Sequence, residues 1–268
     1  MLQELKSLLN HCGVTTDNIE CTDNRVVVME SYNKSKGNLT GFNCNLCNNR
    51  GNFMVIEDGY EYFKSCKCMS ARDTLARMEK SGLATMFKNY SLAKFTADTP
   101  WHKEMLSLAQ RFIEKPKGWI YIGGSSGSGK THICTAIVNK LIRSGKDARY
   151  VLWRDMALKL KSNINDSMAY TSIINPLKKT SVLYIDDFFK GSYPAPSVAD
   201  VRIAYELLNH RYNNKELITI ISSEMALENI FDIDEAIGGR IFEMAGANIL
   251  NIKGGREVNN RLYNRSLQ

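Results

Sequence analysis

The sequence predicts an α/β fold, a parallel sheet flanked by helices and carrying a phosphate-binding loop, preceded by a small α+β domain built on paired cysteines. Three observations lead there. From Trp119 onward, short and almost wholly apolar runs (WIYIGG, ARYVLW, SVLYIDD, ELITIISS) alternate with helix-length segments. That alternation marks crossover units on a sheet buried on both faces. Gly124–Thr131 reads GSSGSGKT, with an apolar run before it and a helical pattern after it. Four of the seven cysteines fall in two tight pairs, Cys44/Cys47 and Cys66/Cys68.

Composition bounds what these elements can be. Of 268 residues, 44% are apolar, enough to build a core and too many for a disordered chain. The formal charge of +7 permits a polyanionic partner without requiring one. No apolar run approaches the roughly 18 residues of a membrane span. The start, MLQELKSLLN, reads as a short amphipathic helix without a cleavage site. A reducing cytoplasm is therefore the expected compartment, where paired cysteines favour metal ligation over disulfides.

Taken in order, the first forty residues combine the helical start with a β-like run, Arg25–Met29, and a loop rich in Asn and Gly. Cys44–Cys68 reads as a small ribbon: a knuckle (CNLC), a turn (NNRG), a strand (FMVIED) and a second strand (YEYF) entering CKC. A charged helix over 70–80 is capped at Ser81-Gly82. The expected division is an N-terminal zinc-binding domain over 1–82, a linker over 83–100 and an ATPase domain over 101–268. In the latter, helices are expected at WHKEMLSLAQRFIEK, THICTAIVNKLIRSG, RDMALKLKSNI and VADVRIAYELLNHRYNN, set among four strands.

The loop Gly124, Ser125, Ser126, Gly127, Ser128, Gly129, Lys130, Thr131 fits G-x-x-x-x-G-K-[ST]. Its glycines let successive N–H groups converge on phosphate oxygens, and the following helix adds its positive end. Lys130 is expected on the β- and γ-phosphates of ATP, and the Thr131 hydroxyl on Mg²⁺. A second acidic site is supplied by VLYIDD: Asp186 as the metal-side carboxylate and Asp187 to orient or deprotonate the attacking water. A short Asp where Glu is usual suits slow hydrolysis. Cys44, Cys47, Cys66 and Cys68 can close a tetrahedral Zn²⁺ site that holds together a domain too small for a core of its own. Four thiolates leave no open position on the metal, so the zinc is read as structural.

The order of these elements resembles the bacterial and phage helicase loaders of the DnaC/DnaI type, with the IstB transposition ATPases close by; all carry an AAA+ ATPase core. The knuckle before the core, the run Glu206–Tyr212 and Thr219–Glu224 look most like loaders of phages and prophages. The resemblance implies a γ-phosphate sensor at the end of that last strand, with Ser223 or Glu224 as candidates, and an arginine finger at Arg240 in GGRI. It places a weaker second sensor at Asn260-Arg261-Leu262. It also implies that the zinc domain grips a hexameric replicative helicase, that the core binds single-stranded DNA, and that the ATPase domains self-associate. Arg149, Tyr150, Trp153, Arg154, Lys159 and Lys161 are the candidate DNA face, though Tyr150 and Trp153 also suit packing. Two alternatives stay open: an IstB-type transposition ATPase, and a non-catalytic protein that captures a host helicase or loader.

Overall fold

In a computed structural model the described residues are 24–41, 43–78, 89–191, 195–255 and 258–259. The chain divides into two compact units, Met1–Cys66 and Lys67–Gln268. The N-terminal amphipathic helix, the Ser81-Gly82 cap and the second sensor at 260–262 lie outside the described residues.

In the first unit, helix α1 (Asn24–Lys34) accompanies an antiparallel hairpin of β1 (Asn52–Glu57) and β2 (Tyr60–Ser65). The hairpin closes on Asp58-Gly59, both at positive φ (53° and 79°), as a two-residue turn between twisted strands requires. Helix α1 corrects the β-like reading of Arg25–Met29. Local β preference loses here because among the described residues the segment pairs with no strand, whereas its helical form brings Asn33 to the edge of β1. The Asn33 amide accepts from Met54 N and donates to Met54 O, both at 2.9 Å, replacing a strand neighbour. Tyr32 tightens the contact by donating to Asn52 Oδ1 at 2.8 Å and packing on Phe63.

The second unit is built on a five-stranded, wholly parallel sheet in the order β4-β5-β6-β3-β7. Its strands are β3 (Trp119–Gly124), β4 (Ala148–Leu152), β5 (Val182–Phe188), β6 (Ile218–Ser223) and β7 (Ile249–Ile252). The three central strands β5, β6 and β3 are buried almost throughout, as their apolar runs require. Helix α2 (Cys68–Met78) packs beside the edge strand β4. Helix α3 (Pro100–Glu114) starts at an N-cap Thr99 with Pro100 at its first position, and buries Met105, Leu108, Ala109 and Phe112. Helix α4 (Lys130–Arg143) springs from the phosphate loop and lies against β4, β5 and β6. Helix α5 (Trp153–Ser162) follows β4, and α7 (Val198–Tyr212) opens on a full capping box between Ser197 and Asp200.

Three further helices and β7 add to the expected set. Helix α6 (Ser167–Lys179) has an Asp166 N-cap but carries Pro176 in its last turn, which reads locally as a breaker. Helices α8 (Leu227–Ile233) and α9 (Glu235–Ala245) meet closely at Gly238, where a Cβ would press on the Phe231 ring and backbone. Among the described residues no helix is long and apolar enough to cross a membrane.

Candidate functional site

Strand β3 ends in Gly123-Gly124, where the chain must pass close under β7. A Cβ at Gly124 would collide with the carbonyl of Ile252, and its φ of 121° is open only to glycine. Gly127 and Gly129 also take positive φ, and Gly129 is the N-cap of α4. The loop is therefore wound as the motif requires, at the carboxyl end of the central strands, where open α/β sheets bind ligands. Lys130 is buried and folds back over its own loop. Its ammonium donates to Gly124 O at 2.8 Å, Ser125 O at 2.7 Å and Ser128 Oγ at 3.3 Å. Burial pulls its pKa down, and the nearby Glu224 and Asp187 carboxylates oppose that pull.

Asp186 is nearly fully buried at the end of β5 and is the hub of the polar floor. Its Oδ1 accepts from Thr131 Oγ1 at 3.3 Å, from the backbone N of Asp187 at 3.1 Å and, closely, from the Ser222 hydroxyl. Tyr150 donates to its Oδ2 at 3.3 Å. Burial raises the Asp186 pKa against the pull of these hydroxyls. Thr131 and Asp186 thus form a pair of hard oxygen donors beside the loop, the set that suits Mg²⁺. The structure places Lys130 and Thr131 at the start of α4 and brings Asp186 within hydrogen-bond reach of Thr131.

A cavity of about 360 Å³ opens above them, walled by the loop, Asp187, Lys190 and Glu224, with Tyr90 and His132 at one side. Tyr90 stacks on His132 with centroids 4.3 Å apart, and Phe95 meets the His132 ring edge-on at 5.1 Å. Burial lowers the His132 pKa, against the pull of its hydrogen bond with Ser91 O. Of the two candidate sensors, Ser223 is fully buried; its hydroxyl donates to Phe188 O at 2.8 Å and accepts from Met225 N at 3.1 Å. Glu224 faces the cavity. Lys190, which sequence reasoning passed over, bridges Asp187 Oδ2 at 3.1 Å and Glu224 Oε1 at 2.9 Å. Its only signal in the sequence is its place three residues after Asp187.

Arg240 lies on α9, away from this wall. Its guanidinium donates to Asn209 Oδ1 at 3.0 Å, Ala236 O at 2.8 Å and the Tyr205 hydroxyl at 3.2 Å, and it stands over the Tyr205 ring. The signature run on α7 supplies most of this scaffold. Glu206 accepts from Tyr170 and Lys178, both at 2.6 Å; Tyr212 donates to Glu243 at 2.6 Å. Arg211, fully buried, donates five hydrogen bonds: to Thr219 Oγ1 and to the carbonyls of Leu177, Lys178, Thr180 and Ile218.

The expected DNA residues divide. Trp153 is core, edge-on to Phe188 and Phe189, and Tyr150 is committed to Asp186. Arg154 and Lys161 line a second cavity of about 320 Å³, which shares Lys190 with the first and where Lys161 pairs with Asp200 at 2.9 Å. Arg154 and Lys159 are exposed, and Arg149 is half-buried on the edge strand β4.

The sulfur atoms of Cys44, Cys47, Cys66 and Cys68 all lie within 4.8 Å of one another. Cys44 Sγ and Cys66 Sγ are 3.7 Å apart, close to the roughly 3.8 Å edge of a tetrahedron with Zn–S bonds of about 2.3 Å. Gly51 N donates to Cys47 Sγ at 3.3 Å, the backbone support a thiolate needs. The knuckle is turned by Asn48 and Asn49 in left-handed conformations, and Asn49 Oδ1 accepts from Cys44 N at 2.8 Å. The four-thiol set could hold zinc.

The family model described as "IstB-like ATP binding protein" matches residues 67–249. The chain belongs to this family of P-loop ATP-binding proteins. It is 30% identical to the phage-like element PBSX protein XkdC of Bacillus subtilis, over 85% of this chain and 89% of that one. It is 21% identical to the replicative helicase loader DnaC of Escherichia coli, over 61% of this chain and 66% of the relative. Among solved structures, that of a DnaC helicase loader superposes with a TM-score of 0.54 at 19% identity, covering 62% of this chain and 98% of that one. The core therefore has the fold of the DnaC AAA+ domains, and the family match begins just after Cys66.

Proposed function

We propose that this protein is an ATP-dependent helicase loader of phage type, which binds a hexameric replicative helicase and places it on single-stranded DNA. The observation that carries the reading is the joining of a complete phosphate loop and buried carboxylate to a four-thiol cluster, in a chain related to a PBSX protein and to DnaC. The zinc-binding domain, over 1–82, is the helicase grip, with a linker over 83–100 before the ATPase domain. In the ATPase domain, Gly124–Thr131 cradle the phosphates. Lys130 turns from its loop carbonyls to the β- and γ-phosphates, and Thr131 with Asp186 would hold Mg²⁺, which supplies charge neutralisation at the phosphates. Asp187 orients or deprotonates the attacking water, and its ion pair with Lys190 suits slow turnover. Ser223 senses the γ-phosphate through the carbonyl and amide it ties together. Arg240, held ready on α9, completes the site of a neighbouring copy, which makes hydrolysis depend on self-association. Arg149, Arg154, Lys159 and Lys161 provide the cationic DNA face, and the protein works in the cytoplasm.

The deciding experiment incubates the full chain with a hexameric replicative helicase and circular single-stranded DNA, then measures helicase retained on the circles. Retention should rise with ATP and fall to background with Lys130→Ala. Equal retention with and without the protein would sink the loader reading.

A further inference from the structure

We infer that Lys190 is the residue by which the cavity distinguishes a nucleoside triphosphate from a diphosphate; the inference rests on the ATP-binding reading above. The charges in the cavity set the problem. In the empty site Lys130 spends its three donors on Gly124 O, Ser125 O and Ser128 Oγ, and in the filled one it turns to the phosphates from the loop side of the cavity. That leaves Asp187 and Glu224 facing the space beyond the loop, where a third phosphate would lie. Two carboxylates there repel a terminal phosphate and are indifferent to a diphosphate seated deeper in the loop. Lys190 stands between them, at 3.1 Å and 2.9 Å, and is the cation paired directly with both, while Lys130 acts on them from the loop. Its side chain is 42% exposed and lines the cavity, and its ammonium has a third N–H with which to meet a phosphate oxygen.

The backbone is built to deliver it. Asp187 and Phe189 both adopt left-handed conformations, with φ of 52° and 60°, which non-glycine residues take only at a cost. The turn closes with Lys190 N donating to Asp187 O at 3.0 Å. What holds it is aromatic packing: Phe188 and Phe189 are fully buried, stacked at 4.1 Å, with Trp153 edge-on to both. Such a turn aims residue 190 back over the cavity; an extended continuation of β5 would carry it away. Lys190 is a positioning residue for the two carboxylates in the empty site and a direct ligand of the terminal phosphate in the filled one.

The test measures equilibrium affinity of the full chain for ADP and for a non-hydrolysable ATP analogue, by calorimetry, in the wild type, Lys190→Ala, Lys190→Arg and Lys190→Ala/Glu224→Gln. Lys190→Ala should cut the preference for the triphosphate at least tenfold while changing ADP affinity less than threefold, which also certifies the fold. Lys190→Arg should keep the preference. Removing the carboxylate that has lost Lys190, with Glu224→Gln, should restore part of it, an effect no merely structural ion pair would produce. Equal weakening of both nucleotides, or an unchanged preference, overturns the inference and leaves ATP binding standing. A wild-type chain that binds neither nucleotide overturns the ATP-binding reading and the inference together.

Discussion

Replacing Arg211 by lysine should cost about 2–6 kcal/mol of folding stability, although it keeps the charge. Arg211 is fully buried and meets five acceptors: Thr219 Oγ1 at 2.9 Å and the carbonyls of Leu177, Lys178, Thr180 and Ile218 at 2.9, 3.2, 2.8 and 2.6 Å. Burial lowers its pKa to about 9, which still leaves it cationic at neutral pH. A guanidinium forks to all five; an ammonium has three donors, so at least two acceptors lose their partner. Each bare buried acceptor costs about 1–3 kcal/mol, which sets the range. A typical domain has only about 5–15 kcal/mol to lose. Urea unfolding followed by the fluorescence of the buried Trp119 and Trp153 measures the difference, with Arg211→Met as a second variant. Methionine strands all five acceptors and should cost more than lysine. A lysine variant within 1 kcal/mol of wild type, or a methionine variant more stable than it, would refute the idea that these acceptors need the fork.

Three further outcomes test the site. Asp186→Asn should raise the thermal midpoint of the nucleotide-free protein while abolishing Mg²⁺-dependent ATP binding. The native carboxyl has a folded pKa raised above its unfolded value, so its ionised form at neutral pH works against folding. The same sign means that the stabilisation by this substitution shrinks as pH falls toward the carboxylate range, and scanning calorimetry across pH reads both. Purified protein should carry one zinc per chain, released by thiol modification and lost in Cys47→Ser; metal-free protein with unchanged stability would contradict the cluster's role. Arg240→Ala should leave nucleotide affinity within about twofold yet lower the ATPase rate of assembled protein by about 10³. Mixing it with Lys130→Ala should then restore activity, because an intact site and an intact arginine meet across the interface.

Much of this was legible because a few residue types admit few arrangements. A loop of three spaced glycines ahead of Lys130-Thr131 has hardly any use but a phosphate cradle, and an apolar strand ending in two carboxylates identifies itself. Four cysteines in two pairs likewise announced their cluster. The run Arg25–Met29 misled because three consecutive valines state a preference without naming a partner, and the partner turned out to be the edge of a hairpin reached through Asn33. Helix α6 was hidden by Pro176, tolerated because it falls in the final turn. Lys190 was invisible for another reason. Its meaning depends on left-handed backbone at Asp187 and Phe189, which no pattern of residue types in DDFFK reveals.

The signature run on α7 has a mechanical consequence. Asn209 holds Arg240, while two residues later Arg211 grips Thr219 on β6. From Thr219 to Glu224 is five residues of chain, about 17 Å at the rise of a strand. Glu224 stands in the wall of the chain's own nucleotide cavity. In any assembly where Arg240 reaches a neighbour's phosphates, one stiff linkage of helix, guanidinium and strand joins the two occupied sites. A pull on the arginine at one end is then carried through helix and strand as far as Ser223, the residue before Glu224.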